Sequence, residues 1–315
     1  MAKIVFMGTP QFAVASLAKI LDSGFFVSAV VTVPDKPAGR GLKMLPSPVK
    51  VYAQEKNIPV LQPEDLNSPD FIAAIQNLAP DIIAVVAFRK LPKCVWSIPK
   101  LGTFNVHSSL LPQYRGAAPM NHAIINGETK TGITTFLLDD KIDTGQILLQ
   151  SEVSIEPADT FLELHDKMMV VGADLAVKTT ELLLSGNYTT INQNQLLAED
   201  NILHKAPKIF KEDCKIDWND SVIKIHNKVR GLSPVPCAFT DIQTKNGTTV
   251  NIKIYKSEYV LDDLPHEVGA ITTDGKKYFG INAADGILYF KDVQLSGKKR
   301  MSIEDFLRGA RNLFL

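Results

Sequence analysis

The N-terminal half of the chain alternates between short apolar runs and stretches with helical spacing. Residues 3–7 form an apolar run, apolar side chains recur at helical spacing over residues 13–21, and a second apolar run covers residues 26–33. We place a helix N-cap at Thr9 and the first helical residue at Pro10. A strand, turn, helix and strand in this order predict a βαβ unit, and therefore a parallel sheet wound like a dinucleotide-binding fold.

The pattern changes to period two towards the C-terminus. Apolar and polar side chains alternate over residues 250–254, and the dipeptides Asn246-Gly247, Asp274-Gly275 and Asp285-Gly286 stand where hairpin turns are needed. Many short strands predict a small β-barrel, and the apolar stripe after Ser302 predicts a terminal helix.

A polar stretch separates these two patterns. Residues 186–208 turn polar, with four consecutive amides from Asn192 to Gln195. Such stretches are typical of crossings between domains. We therefore expect an α/β domain at residues 1–204 and a β domain at residues 205–315.

The composition is that of an ordinary globular protein. The 315 residues are 45% hydrophobic and 22% charged, with 34 basic and 34 acidic side chains. From Ala206 onward 17 basic residues face 14 acidic ones, which is the sign expected of a region that meets a polyanion. Cys94, Cys214 and Cys237 show neither a disulfide framework nor metal-ligand spacing. Without a leader pattern or a membrane-spanning run, we expect a cytoplasmic protein.

Three polar residues indicate chemistry in the α/β domain. Asn105 and His107 are spaced i, i+2 at the end of a predicted strand, so their side chains face one side of the sheet, at the edge where ligands bind. Asp143, in the turn before Gly145, can reach the same place from another loop. An amide N–H and an imidazolium can donate to an oxyanion, and a carboxylate can hold the imidazole charged and help to move a proton. This set of groups does not require a Ser or Cys nucleophile, which favours direct transfer of an acyl group to an amine over a covalent intermediate.

Other interpretations of these residues stay open at this point. Asn105 can be a turn residue, and Asp143 can cap a turn. A nicotinamide-dependent oxidoreductase is disfavoured although Asp35 stands where a ribose-binding acid would, because residues 8–13 lack the second and third glycines of the dinucleotide motif.

The segment of residues 34–50 is a candidate functional loop. It combines prolines and glycines with the cations Lys36, Arg40, Lys43 and Lys50. Its composition suits both an element that closes over a phosphate backbone and a solvated linker with ordinary surface charge.

The polar residues and their neighbours resemble the signature of the folate-dependent formyltransferases. This resemblance implies a Rossmann-like, parallel-rich domain followed by an OB-like β-barrel domain that binds tRNA. It covers nearly the whole chain, because it comprises Asn105-x-His107, residues 109–116, Asp143-x-Gly145, and residues 7–13, 34–41 and 230–236.

The resemblance also implies an activity and its residues. It implies transfer of a formyl group from 10-formyltetrahydrofolate, without a metal, to the amino group of methionine esterified to initiator tRNA. Separately, we expect a monomer that does not bind membranes. It assigns catalysis to Asn105, His107 and Asp143. It assigns folate binding to Ser109, Leu110, Leu111, Pro112, Ala87, Phe88, Arg89 and Leu91, and tRNA binding to Arg40, Lys43 and Lys208.

Two alternatives to this activity remain. One is a formyltransferase acting on the amine of a sugar nucleotide or of glycinamide ribonucleotide, and the other is a non-catalytic RNA-binding relative. The chain also departs from the family pattern at residues 87–92, where the loop is one residue shorter and lacks a glycine. We expect this departure to affect the shape of the pteridine pocket more than the activity.

Overall fold

A computed structural model describes residues 1–38, 43–197, 202–262 and 267–314. The chain packs into two compact units, each of which collects separate stretches of sequence. The first holds Met1–Gly116, Thr131–Val153 and His165–Lys205, and the second holds Ala117–Lys130, Ser154–Leu164 and Ala206–Leu315. The domain boundary expected between residues 204 and 205 stays a prediction.

The elements follow one another along the chain in an α/β order and then in a β-rich order. The helices are α1 (Gln11–Asp22), α2 (Pro48–Glu55), α3 (Pro69–Leu78), α4 (Lys93–Trp96), α5 (Pro119–Ile125), α6 (Phe161–Ser185), α7 (Val222–Leu232) and α8 (Ile303–Phe314), with 3₁₀ turns at Gln193–Leu196 and Glu212–Cys214. The strands are β1 (Lys3–Gly8), β2 (Phe26–Val31), β3 (Lys36–Ala38), β4 (Lys43–Leu45), β5 (Val60–Leu61), β6 (Ile82–Val86), β7 (Thr103–His107), β8 (Arg115–Gly116), β9 (Lys130–Leu137), β10 (Ile147–Ser154), β11 (Lys205–Ala206), β12 (Ala238–Gln243), β13 (Thr249–Leu261), β14 (Ile271–Thr273), β15 (Phe279–Asn282), β16 (Gly286–Leu295) and β17 (Met301–Ser302).

The first unit is built on a sheet in the order β10-β9-β7-β6-β1-β2-β5. β1 pairs in parallel with β2 and β6, β6 with β7, and β2 with β5, whereas β9 runs antiparallel to β7. Every residue of β6 is buried, as a strand covered on both faces requires. Side chains of β1 and β6 pack with Phe71 and Ile75 of α3 into one apolar cluster. The predicted Rossmann-like, parallel-rich sheet is therefore confirmed.

The start of α1 differs from the sequence-based prediction. Pro10 has an extended backbone (φ −82°, ψ 178°), and its carbonyl accepts from the amides of Ala13 and Val14. Pro10 is therefore the N-cap and α1 begins at Gln11, so the assignment of Thr9 as cap was wrong by one residue. Proline fits this position because a preceding strand and a following helix both accept its fixed φ.

The loop expected over residues 34–50 begins and ends in an ordered stem. β3 and β4 pair in antiparallel register. Below them, the hydroxyls of Thr32 and Ser47 are 2.8 Å apart, and Lys50 Nζ lies 2.7 Å from Asp35 Oδ2. Gln62 Nε2 donates to Asp35 Oδ1, and these two hydrogen bonds lower the pKa of the Asp35 carboxyl, that from Lys50 more than that from Gln62. These contacts join the residues that flank the hairpin to each other and to Gln62.

The second unit carries a curled antiparallel sheet in the order β12-β13-β16-β15-β14, with β17 paired to β16. All three predicted turn dipeptides stand at connections between consecutive strands of this sheet, with Gly286 as the first residue of β16. Phe279, Phe290 and Phe306 meet in its core, and α8 is amphipathic as expected. The prediction of a separate small β domain of OB-like type is confirmed.

Two segments from the middle of the sequence complete the second unit. Asn121 of α5 donates to the carbonyl of Gly231 in α7 over 2.8 Å, and a Cβ at Gly231 would come within 2.8 Å of Ile125. Arg230 donates to the carbonyl of Asp159. These contacts join residues 117–130 and 154–164 to α7. Within the described ranges, no helix is long and apolar enough to cross a membrane.

Candidate active site

The carboxyl end of β7 places two of the predicted catalytic side chains on one face of the sheet. Asn105 pairs with Val85 of β6 and with Phe136 of β9, and His107 pairs with Thr134 of β9. Since side chains alternate along a strand, Asn105 and His107 project to the same side. Asn105 is half-buried, and no described residue hydrogen-bonds its carboxamide.

The imidazole of His107 is held in one orientation. It is only 6% exposed, lies edge-on to the Phe136 ring, and its Nε2 is 3.0 Å from the carbonyl oxygen of Tyr114. A carbonyl oxygen only accepts, so Nε2 carries a proton. The other nitrogen, Nδ1, faces Asp143, with 3.9 Å between Nδ1 and Oδ2. That separation is too long for a direct hydrogen bond. It is compatible with an ion pair or with a hydrogen bond bridged by one water molecule.

The carboxylate of Asp143 comes from a turn with unusual backbone geometry. Asp143 has φ +55°, in the left-handed region, and its Oδ2 accepts from the amide of Gly116 over 3.0 Å. The structure therefore places Asp143 next to His107, as the sequence predicted. The backbone amide of Gly116 fixes the position of the carboxylate.

A residue that sequence reasoning missed supports the same turn. Gln193 is 1% exposed, and its Nε2 donates to the carbonyls of Asp143 and Gly145 over 3.0 and 2.8 Å. Its Oε1 accepts from Nε and Nη2 of Arg115 over 3.0 and 2.6 Å. Gln193 lies among four consecutive amides, and that local pattern gave no signal that one of them is buried.

The loop of residues 109–112 is organised by a buried hydroxyl. Thr134 Oγ1 donates to the carbonyl of Ser109 and accepts from the amide of Leu111, and Gln150 Nε2 donates to the same hydroxyl and to the Leu111 carbonyl. The side chains of Ser109, Leu111 and Pro112 are buried, and Ser109 Oγ donates to the backbone of Gln113. Of the four predicted folate-contacting residues here, Leu110 alone has a partly exposed side chain.

The loop after β6 carries the other predicted folate residues. Ala87 is exposed with φ +48°, Phe88 is half-buried, and Leu91 is buried in the apolar cluster with α3. Arg89 donates from Nη1 to the carbonyl of Glu64 and from Nη2 to that of Pro63. The guanidinium therefore braces this loop against a neighbouring turn, which gives the loop a fixed path without the family's glycine.

The predicted tRNA-binding residues are separately placed. Arg40 lies outside the described residues, and for Lys43 the described part is its backbone in β4. Lys208 belongs to the second unit and is exposed, with Nζ 5.3 Å from the centre of the Phe210 ring. Across the described ranges no group of three or more His, Cys, Asp or Glu side chains could hold a metal ion.

Comparison with protein families matches both parts of the chain. The formyl transferase family matches residues 2–180, and the formyl transferase C-terminal domain matches residues 208–311.

Relatives of similar length are named after one activity. The chain is 47% identical to the methionyl-tRNA formyltransferase of Bacteroides thetaiotaomicron over 309 residues, which is 98% of this chain and 96% of the relative. It is 49% identical to the methionyl-tRNA formyltransferase of Azobacteroides pseudotrichonymphae over 311 residues, again 98% and 96%.

Two solved structures of formyltransferases share this fold. The sugar 3N-formyl transferase WlaRD, crystallised with dTDP and 5-N-formyl-THF, has a TM-score of 0.64 at 22% identity and covers 95% of this chain and 99% of its own. An N-formyltransferase from Helicobacter canadensis, in complex with folinic acid and dTDP-3-aminofucose, has a TM-score of 0.63 at 23% identity, with 96% and 100% covered. At these identities the likeness shows the fold.

Proposed function

Since the chain belongs to the formyl transferase family, we propose that it transfers a formyl group from 10-formyltetrahydrofolate to the amino group of methionyl initiator tRNA. The observation that carries this proposal is that His107 faces Asp143 at the carboxyl end of β7, on the sheet face that Asn105 shares. The chain is also 47% and 49% identical over nearly its full length to enzymes named methionyl-tRNA formyltransferase. The two structural relatives with sugar substrates are far more distant, at 22% and 23%.

The reaction needs a donor to an oxyanion and a route for one proton. The methionyl amine attacks the formyl carbon, so that a new C–N bond forms, the bond to the folate nitrogen breaks, and one proton moves from the amine to that nitrogen. No external oxidant or nucleophile enters this balance.

Each of the three polar side chains suits one part of that task. Asn105 presents an amide N–H that no described residue occupies, which suits donation to the developing oxyanion. The Nε2–H of His107 donates to the Tyr114 carbonyl, so Nδ1 is the nitrogen available to the reacting groups. The Asp143 carboxylate, 3.9 Å from Nδ1, stabilises a charged imidazole and accepts the amine proton directly or through water.

Folate would meet mostly backbone groups of the two loops, residues 109–112 and 87–91. Ser109, Leu111 and Pro112 are buried, and Arg89 is engaged with two carbonyls, so their side chains serve to shape the two loops. Leu110 and Phe88 keep partly exposed side chains for the pteridine face, and Ala87 offers its backbone. Leu91 anchors the second loop from below.

We assign the contacts with tRNA to three cations. Arg40 and Lys43 would meet its acceptor end, and the exposed Lys208 would meet its phosphate backbone. Lys208 lies over the Phe210 ring, which is 56% exposed, so this pair combines a phosphate-binding charge with an aromatic face on which a base can stack.

A formyl-transfer assay with several amines tests the proposal. We expect kcat/KM for methionyl initiator tRNA to exceed that for a dTDP-amino sugar or glycinamide ribonucleotide by about 100-fold or more. His107→Ala and Asn105→Ala should each lower kcat by roughly 100-fold, because each loses an oxyanion donor or proton-transfer group, with folate affinity little changed.

Two outcomes would overturn the proposal. One is a higher kcat/KM for an amino sugar nucleotide than for methionyl-tRNA, which would make this a sugar formyltransferase. The other is near-normal turnover by His107→Ala, which would remove the assigned chemistry. Replacing 10-formyltetrahydrofolate by the 5-formyl isomer serves as the control for the donor.

A further inference from the structure

A nearly buried glutamine lies behind the candidate catalytic carboxylate, in a stretch that looks like a solvated linker. Gln193 is 1% exposed, while its neighbours Asn192, Asn194 and Gln195 are exposed. We propose that Gln193 is a positioning residue that sets the place of Asp143 relative to His107. This inference rests on the proposed function.

The orientation of the Gln193 amide is determined at both ends. Arg115 can only donate, so the Gln193 atom within 3.0 and 2.6 Å of its guanidinium is the oxygen. The carbonyls of Asp143 and Gly145 can only accept, so the atom within 3.0 and 2.8 Å of them is the nitrogen. Both protons of the NH₂ group and both sites on the oxygen are used, and no flipped orientation satisfies these partners.

These hydrogen bonds hold a turn that the backbone alone does not favour. Asp143 has φ +55°, a conformation that residues other than glycine seldom adopt. Gln193 fixes the carbonyl of Asp143, and the amide of Gly116 fixes its carboxylate. Arg115 and Gly116 form the short strand β8, and Arg115 also donates to Gln193. β8 and Gln193 together therefore fix the carboxylate and the backbone carbonyl of Asp143.

Removal of Gln193 would break four hydrogen bonds, of which the one to the Gly145 carbonyl is buried and the others are partly buried. The carbonyls of Asp143 and Gly145 would lose their donor, and the Arg115 guanidinium would lose its acceptor. We expect the turn to relax towards a more common backbone conformation, which moves Oδ2 of Asp143 away from Nδ1 of His107. A displacement of this kind by about 1 Å can cost roughly 100-fold in rate.

The test compares three variants of the full chain. Gln193→Glu keeps an oxygen for Arg115 and removes the donors to Asp143 and Gly145, whereas Gln193→Ala removes everything beyond Cβ. Gln195→Ala changes an exposed amide two residues away and is the matched control. We expect kcat to fall by about 10- to 100-fold in both Gln193 variants, with the KM values for folate and acceptor within about twofold, and no change in the control.

A double-mutant cycle separates positioning from general support of the fold. If Gln193 acts through the Asp143 carboxylate, Gln193→Ala in an Asp143→Ala background should lower kcat by less than about twofold further. Losses that multiply in the double variant, or a wild-type kcat in both Gln193 variants, would overturn the inference. Should Gln193→Ala unfold below the assay temperature, the cycle is run with Gln193→Glu.

The same experiment reports separately on the proposed function. The wild-type arm is measured first with methionyl-tRNA and the alternative amines, and it alone tests the acceptor. The Gln193 comparison is then made with whichever amine the wild type formylates, since the geometry of His107 and Asp143 serves any amine acceptor.

Discussion

Two histidines, one in each unit, differ in what surrounds them. His107 faces the Asp143 carboxylate and a backbone carbonyl. His226 in α7 faces the hydroxyl of Ser257 through Nδ1, the ring of Tyr259, and the guanidinium of Arg230. Burial, and then Arg230, lower the pKa of His226 to about 4, and the nearby Glu258 opposes this only weakly. The arrangement around His226 therefore favours a neutral imidazole in the folded protein.

The neutral state of His226 predicts a loss of stability in mild acid. Between pH 6.5 and 4 the unfolded chain binds a proton on His226 that the folded chain does not bind, so this contribution is fully present above pH 6.5 and is lost as the pH falls towards 4. From pH 7 to pH 5 we expect a cost of about 2 kcal/mol from this residue. Urea unfolding at both pH values measures it.

His226→Asn removes the titration and keeps a polar group near Ser257. Its free energy of unfolding should therefore change less between pH 7 and pH 5 than that of the wild type, by about the same 2 kcal/mol. An identical pH dependence in the two proteins would show that His226 is accessible to protons in the folded state.

Residue spacing predicted the common face of the candidate catalytic side chains Asn105 and His107, but not the groups that hold them. The i, i+2 spacing of Asn105 and His107 gave their common face, because strand alternation is a local property. The carbonyl of Tyr114 and the side chain of Gln193 act on these residues from other segments. Every residue has a backbone carbonyl, so the sequence does not show which carbonyl will accept from His107. The burial of Gln193 could not be predicted either, because the amides around it show no periodic pattern.

The turn between β9 and β10 depends on close contact with the end of β9. A Cβ built on Gly145 would lie 1.7 Å from the carbonyl oxygen of Leu137, so a side chain cannot be accommodated without moving the turn or the strand. This contact explains the Asp-x-Gly pattern. The glycine lets the turn pack against the sheet, and Asp143 is positioned by the same turn.

Gly145→Ala should therefore lower activity as well as stability. We expect kcat to fall by about 100-fold because the Asp143 carboxylate is displaced, and the free energy of unfolding to fall by about 1–3 kcal/mol. Steady-state kinetics and thermal unfolding measure the two effects. Gly309→Ala is the control, since among the described residues no atom beyond the chain neighbours and the backbone of α8 itself lies within 4 Å of a Cβ at this position. Alanine should stabilise α8 by about 0.5–1 kcal/mol. Wild-type kcat in Gly145→Ala would show that the turn does not place Asp143.

Element types followed the sequence pattern more closely than element boundaries did. The apolar run at β1 and the alternation at β13 were predicted correctly as strands. The cap of α1 was misplaced by one residue because Thr9 and Pro10 both fit the start of a helix locally. The stem of the 34–50 loop depends on contacts between Thr32 and Ser47 and between Asp35 and Lys50. These partners are far apart in sequence, so local patterns did not predict that they pair.

At the scale of the whole molecule, the second unit is not one continuous stretch of chain. α5 and residues 154–164 pack with α7, although the sequence pattern placed both in the first 204 residues. Periodicity reports on the element in which it occurs, so it cannot say which distant helix will cover an apolar face such as that of Ile125.

A fragment of residues 1–204 should therefore be less stable than the full chain. Without α7, Asn121 loses its acceptor, Ile125 loses its cover, and the carbonyl of Asp159 loses Arg230. Since each kcal/mol lost lowers Tm by roughly 2–4 °C in a chain of this size, we expect a fall of about 5 °C or more. Thermal unfolding and limited proteolysis around residues 117–130 provide the measurement.

The same fragment tests the division of labour between the units. Its affinity for tRNA should be far weaker than that of the full chain, because Lys208 and the basic excess beyond Ala206 are missing. Asn121→Ala in the full chain is the control, since it removes one of the lost contacts and should give a smaller fall in Tm. An unchanged Tm and unchanged tRNA affinity in the fragment would show that residues 1–204 are self-sufficient.

The distance along the chain between α5 and α7 also sets an order of events during synthesis. Asn121 leaves the ribosome 110 residues ahead of Gly231, its hydrogen-bond partner. At about 5–20 residues per second, the nascent α5 waits on the order of 5–20 s with Ile125 uncovered. Through that interval the growing chain offers an apolar helix face to any chaperone at the tunnel exit, and the second unit closes only after α7 has been made.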